Sequence, residues 1–236
     1  MPPLHPLVKS LLDLEVLKTW SVIVTLFGDY EGDHLTGSQI REILGNLGIK
    51  PEAIRVALHR LKADGWIRAE KQGRGAIYAL TPKGRTETAA AAKDVYRTDP
   101  KFPQGWQFYL HDDEVEHEQA VAITKEVLAA PIQVSDELGG CFALTSQPQD
   151  MPSWIEERLV PHHLLQIANA IVDVGHAVSK SDQALQPLDA KCLRLLLVHQ
   201  WRRLALRPGT WAHISLLPKG TLAMCHKSMS AFLTLD

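Results

Sequence analysis

The chain has 236 residues, 45% of them apolar, and its 25 Lys+Arg stand against 27 Asp+Glu for a formal net charge of −2. That is the composition of an ordinary globular protein with one large domain or two to three small ones, and no apolar run reaches the roughly 18 residues that span a bilayer. Cys141, Cys192 and Cys225 are far apart and form no C-x-x-C pattern, which excludes a disulfide frame or zinc finger and suits buried thiols in a reducing compartment. With no signal-peptide core in MPPLHPLVKS, the expected location is the cytoplasm, away from any membrane.

The charge is segregated. Residues 1–98 carry a net +3 and the remainder −5, and within 50–75 the balance is +4. In chain order, Asp13 is a candidate N-cap for an apolar helix, DLEVLKTWSVIVTLFGDY, ending near Gly28. Thr36 or Ser38 can cap a shorter helix, SQIREILGNLG, with Ile40, Ile43, Leu44 and Leu47 on one face and Gly48 as its stop. A third helix opens at Pro51, where the missing N–H has no intrahelical partner to lose. Its Ile54, Ala57, Leu58 and Leu61 form one apolar stripe, while Arg55, Val56, His59 and Arg60 point outward with Lys62 at the flank. WIRAE and AIYAL then read as a hairpin around the basic tip Lys71-Gln72-Gly73-Arg74-Gly75. Together these predict a winged helix-turn-helix.

After Leu80, TPKGRTETAAAAKDVYR reads as a linker helix, and DPKFPQG marks a boundary. Beyond it the pattern predicts a strand at WQFYL, an acidic helix over about 113–129 and a strand around CFALTS, together a small α+β unit. From SWIEERLVPHHLLQIANAIVDVGHAVS onward the chain reads as helical, with a break at Gln186-Pro187 before LDAKCLRLLLVHQWRRLAL. The fold class is therefore α+β. Its expected domains are a winged helix-turn-helix with linker helix (1–98), a small α+β middle domain (99–150) and a helical domain (151–236) for dimerisation and effector response.

A basic helix face can lie in the major groove, where Arg reads guanine edges while other cations fix register on phosphates. Arg55 and Arg60 are the base-reading candidates, with Val56, His59 and Lys62 beside them; Lys71 and Arg74 are the wing contacts to backbone or minor groove. A hairpin and solvated helix serving only protein contacts is the alternative. The cluster His111, Asp112, Asp113, Glu116 and His117 has metal-ligand chemistry and a metal-dependent hydrolase would use it, but acidic residues also suit a solvated helix N-terminus, which is the reading taken. His162 and His163 lack an H-E-x-x-H frame and are taken as structural. With no G-x-S-x-G, P-loop or dinucleotide fingerprint, no enzyme, cofactor or metal is expected.

Four stretches carry a family resemblance: TLFGDY (25–30), AIRVALHRLKADGWI (53–67), VYR (95–97) and LRLLLVHQWRRLAL (193–206). They resemble the PaaX family of bacterial transcriptional repressors, along the whole chain and most thinly between about 113 and 190. The resemblance implies a winged-helix repressor of aromatic, phenylacetate-like catabolism, released from DNA by an aryl-acyl-CoA thioester, and a middle unit that is a shortened ferredoxin-like module. Near the end Leu216-Leu217-Pro218 follows the family's pattern while its Trp-Pro-Gly is missing. In LRLLLVHQWRRLAL, the arginines Arg202 and Arg203, with His199, suit CoA phosphates, and Trp201 an apolar acyl group. A core helix braced by Arg–carboxylate pairs is the competing reading of the same residues. The expected whole is a homodimer on a palindromic double-stranded operator.

Overall fold

A computed structural model describes residues 4–30, 32–73, 75–98, 105–112, 115–144, 152–180 and 185–234. The chain is α+β and divides into two compact units, each made of two stretches: 1–96 with 176–203, and 97–175 with 204–236.

In the first unit α1 (Pro6–Leu12) precedes α2 (Thr19–Gly28), β1 (Leu35–Thr36), α3 (Gly37–Asn46), α4 (Pro51–Ala63), β2 (Ile67–Gln72), β3 (Gly75–Leu80) and α5 (Pro82–Val95). The helix expected from Asp13 is corrected: it begins only at Thr19, as α2, and a separate helix, α1, ends just before Asp13. Asp13 closes α1 as its C-cap, its N–H donating to the Lys9 carbonyl, and the chain turns before α2 begins at Thr19. Glu15 in that turn pairs with Arg203, a tertiary partner that local helix signals cannot reveal. Thr36 caps α3 in a reciprocal capping box with Gln39.

α4 forms where the sequence places it, from Pro51, and buries Ile54, Ala57, Leu58 and Leu61. It packs on α2 and α3. Each leucine taken out of water there contributes about 2 kcal/mol. Its end is set by Gly65 at φ 69, a left-handed position that an L side chain resists. The Trp66 N–H bonds the Leu61 carbonyl at 2.9 Å and the Gly65 N–H that of Lys62 at 3.0 Å, the Schellman pair. The same pair of bonds, from Ile49 to Leu44 and from Gly48 to Gly45, closes α3 before the turn into α4.

The hairpin pairs Ile67 with Leu80 through Gln72 with Gly75, and β1 adds to its β3 side through Leu35–Tyr78 and Thr36–Ile77, giving the antiparallel order β1-β3-β2. β1 is too short to carry a sequence pattern of its own. α5 starts against the base of the hairpin. The Thr81 hydroxyl accepts from the Gly84 N–H at 3.1 Å and donates to the Gly65 carbonyl at 2.7 Å, and its backbone N–H bonds Trp66. A Cβ at Gly84 would lie 2.3 Å from the Trp66 carbonyl oxygen, so only glycine allows this approach.

The unit is completed by the end of α7 (His162–Lys180) and by residues 187–203 of α8 (Pro187–Ala205), which starts at Pro187 where the break was expected. Leu193, Leu196, Leu197 and Trp201 of α8 are buried, and the Trp201 indole donates to the Val95 carbonyl at 2.8 Å.

In the second unit β4 (Trp106–Leu110), β5 (Val121–Ala122), β6 (Val127–Pro131) and β7 (Phe142–Leu144) form an antiparallel sheet in the order β5-β6-β4-β7, with a 3₁₀ turn, Ile132–Glu137, after β6. This overturns the acidic helix expected over 113–129: from 115 onward the described chain makes a hairpin instead. Alternation decided it. Val121 and Ile123 point to one side, Leu128 and Ala130 to the other. The tight turn between them is closed by the Ile123 and Thr124 N–H groups on the Val127 carbonyl. The ferredoxin-like arrangement is likewise absent among the described residues of 105–144, where no α-helix separates the strands.

One sheet face packs Trp106, Val121 and Ala129 with Ile155 of α6 (Ser153–Leu159) and Leu216 of α9 (Thr210–Leu216); the other buries Tyr109, Leu128 and Val134. α10 (Thr221–Leu233) has the Glu156 carboxylate on the N–H groups of Thr221 (2.9 Å) and Leu222 (3.2 Å), an anion at a helix N-terminus. Among the described residues no helix is long and apolar enough to cross a membrane.

Replacing Gly84 by Ala is expected to destabilise the first unit by about 1–3 kcal/mol, because backbone cannot yield as a side chain does. Urea denaturation followed by far-UV circular dichroism checks it; an unchanged midpoint would contradict the close approach.

Candidate nucleic-acid interface

α4 is held by its apolar stripe, so its opposite face is left to solvent. Arg55, Val56, His59, Arg60 and Lys62 are all exposed, as is Lys71 on β2; Arg74 lies outside the described residues. Arg55, His59 and Lys62 recur at intervals of four and three and stand in one row along the helix. Val56 is 65% exposed in the middle of this polar face. Arg55, His59, Lys62 and Lys71 make no ion pair among the described residues. Arg60 differs. Its guanidinium lies 5.4 Å from the centre of the Trp20 ring and 3.7 Å from Asp64, so it is anchored to its own unit. Trp20 is a residue that pattern reading had assigned only to a buried helix.

The four residues considered for an effector have internal partners. His199 and Trp201 are buried. The His199 Nδ1 lies 2.9 Å from the Thr25 hydroxyl, which also accepts from Arg202 at 3.0 Å and donates to the Ser21 carbonyl at 3.1 Å. Arg203 pairs with Glu15 and donates to Gln200. One helical turn away, Arg194 grips Asp29 with Nε (2.8 Å) and Nη2 (3.1 Å), and the Tyr96 hydroxyl donates to the same carboxylate at 2.9 Å. Burial and the facing Asp29 push the Tyr96 phenol well up. Burial, reinforced by Arg202 and Arg203, pushes His199 down to about 4, so it is neutral in the folded protein. Asp29 and Thr25 have no periodic signature of function; their partners on α8 lie more than 160 residues away in sequence.

In the second unit His117 meets Glu137 at 3.1 Å, and Asp113 lies outside the described residues. Among the described residues no three His, Cys, Asp or Glu side chains assemble as a metal set. His162 and His163 are exposed at the start of α7.

The N-terminal geometry is that of a helix pair with a cationic outer face, followed by a two-stranded antiparallel hairpin. Comparison with known proteins finds a match for that stretch: residues 18–84, from the start of α2 to the first turn of α5, are similar to the family model described as PaaX-like protein. The chain is also 30% identical over 96 residues to the transcriptional repressor PaaX of Escherichia coli (strain K12). That alignment covers 39% of this chain and 30% of the repressor's length. The resemblance to the PaaX family is thus shown for a part of the chain, shorter than the span from first helix to C-terminus read from the sequence.

The depressed His199 gives a pH dependence. A histidine at 6.5 when unfolded and about 4 when folded binds protons preferentially in the unfolded state, so stability rises with pH between those values. The first unit should be about 2 kcal/mol less stable at pH 5 than at pH 7.5 through His199 alone. Denaturant midpoints at the two pH values, compared between wild type and His199→Gln, test this; an equal pH effect in both would remove His199 as its source.

Proposed function

We propose that α3, α4 and the β2–β3 hairpin form a winged helix-turn-helix that binds double-stranded DNA, and that the protein is a transcriptional repressor of the PaaX type. The observation that carries the reading is the row Arg55, His59 and Lys62 beside the exposed Val56, on a helix whose other face is fully committed to the core. The guanidinium of Arg55 reaches guanine O6 and N7 in the major groove, and Val56 meets a thymine methyl. Arg60, stacked on Trp20, holds the start of α2 to the end of α4 and offers its remaining N–H groups to a phosphate. Lys71 contacts the backbone from the wing. Two copies on a palindromic site would double the few base pairs that one short helix can read. The repressor named among the relatives supports the regulatory role, and the family resemblance adds control of aromatic catabolism and release by an acyl-CoA thioester. No contact set is assigned to that thioester, because His199, Trp201 and Arg203 are engaged within the unit.

An operator is obtained by selection from randomised duplex DNA. Against it, Arg55→Ala is expected to lose about 1–3 kcal/mol and to relax preference at one base position. Lys71→Ala should weaken all duplexes alike and reduce the slope of log K against log salt by about one. Selection that enriches no sequence, or Arg55→Ala binding as wild type does, would refute the DNA-reading role of α4.

A further inference from the structure

Within the first unit α2, α4, α5 and α8 enclose a cavity of about 520 Å³, partly open to solvent. The size is that of a pocket for a drug-sized molecule. Its walls are apolar over Val24, Leu61, Ala92, Val95, Val198 and the Trp66 ring. Five charged side chains also line it: Arg60, Asp64, Lys83, Glu87 and Arg202. Four of them are matched. Arg60 lies 3.7 Å from Asp64 and Lys83 3.9 Å from Glu87, and Glu87 further accepts from the Trp66 indole at 3.1 Å. The nearby Asp29 is occupied by Arg194 and Tyr96.

Arg202 is the remainder. It donates to the Thr25 hydroxyl at 3.0 Å and pairs with no carboxylate among the described residues. A guanidinium against apolar walls, with no carboxylate partner among the described residues, is a receptor for one negative charge on an apolar body.

We propose that this cavity is a binding site for a small amphipathic monoanion, a carboxylate on an aryl or branched alkyl group, held by Arg202. The surplus is a single positive charge, which a carboxylate balances and a phosphate dianion would overshoot. The planar guanidinium also fits a carboxylate through two parallel bonds. Burial lowers the Arg202 pKa, with Tyr96 acting against it, and an anion in the cavity would also oppose the shift.

Because Arg60, Leu61 and Asp64 belong to α4, occupancy stiffens the helix that the proposed function assigns to DNA; this consequence, unlike the site itself, gains meaning from that reading. A thioester carries its charge on phosphates remote from the acyl group. The contrast between an acid and its amide therefore separates this site from a thioester response.

The test is calorimetric titration of the full chain, without DNA, with 4-isopropylbenzoate and with its uncharged counterpart 4-isopropylbenzamide. The acid is expected to saturate one site at millimolar concentration or below, and the amide to bind at least about tenfold more weakly, the loss of one charge-assisted pair. Arg202→Met should abolish the difference between acid and amide, and Ala92→Phe, which fills the cavity, should block both. Amide hydrogen exchange in residues 57–64 should slow when the acid is added. No saturable binding of the acid, equal binding of acid and amide, or an acid–amide difference that survives in Arg202→Met would each overturn the site. Should Arg202→Met fail to fold, the wild-type comparison and Ala92→Phe still decide it. None of these readouts uses DNA, so failure of the DNA-binding reading appears separately, in the operator selection.

Discussion

The first unit turns on the carboxylate of Asp29. It sits at the C-terminal end of α2, is nearly buried, and takes two bonds from Arg194 of α8 and one from Tyr96 at the end of α5. Three helices far apart in sequence are thereby fixed at one point. A buried carboxylate without such partners would be strongly unfavourable, so the three elements are obliged to meet in this register or not at all. One turn along, Thr25 repeats the arrangement with His199 and Arg202. The two clusters make α8 part of the N-terminal unit although 79 residues of the other unit, 97–175, intervene in the chain.

This anchoring matters for α4. The helix lies on α2, and its C-terminal turn is locked by the Gly65 Schellman bonds and by Thr81, which ties the start of α5 to the hairpin base. An outward row of cations is useful for recognition only if the backbone beneath it is rigid, since each freely rotating side chain already loses entropy on docking. The same packing leaves the cavity beneath α4. Four elements that converge on fixed polar points do not also fill the space between them when small residues such as Ala91 and Ala92 face inward.

The four stretches that carry the family resemblance meet here. Thr25 and Gly28, Leu61 and Trp66, Val95 and Tyr96, and Val198 and Arg202 come from the four separate stretches and all line one cavity. Their separation in sequence concealed that they are neighbours. It also left two readings of Arg202 and Arg203 open. Arg203 is braced by Glu15, whereas Arg202 has a hydroxyl in place of a carboxylate, so adjacent arginines in one motif have different electrostatic circumstances.

Wherever the deciding forces are local, the sequence alone determined the outcome. The phase of α4 was legible because Ile54, Ala57, Leu58 and Leu61 recur with helical period and Pro51 and Gly65 bracket them; the hairpin was legible because a glycine-rich turn separates two apolar runs. Tertiary structure decided what depends on partners distant in the chain. Asp13 reads as an N-cap and serves as a C-cap; Glu15 turns away from helix to meet Arg203. Residues 115–129 carry an acidic, helix-tolerant composition, yet Val121, Ala122 and Leu128 pair as strands because β4 offers β6 an edge, whose hydrogen bonds no window of sequence contains. The charge balance of the cavity belongs to the same category. Each of its cations is ordinary in sequence, and only the fold shows which of them has no carboxylate partner among the described residues.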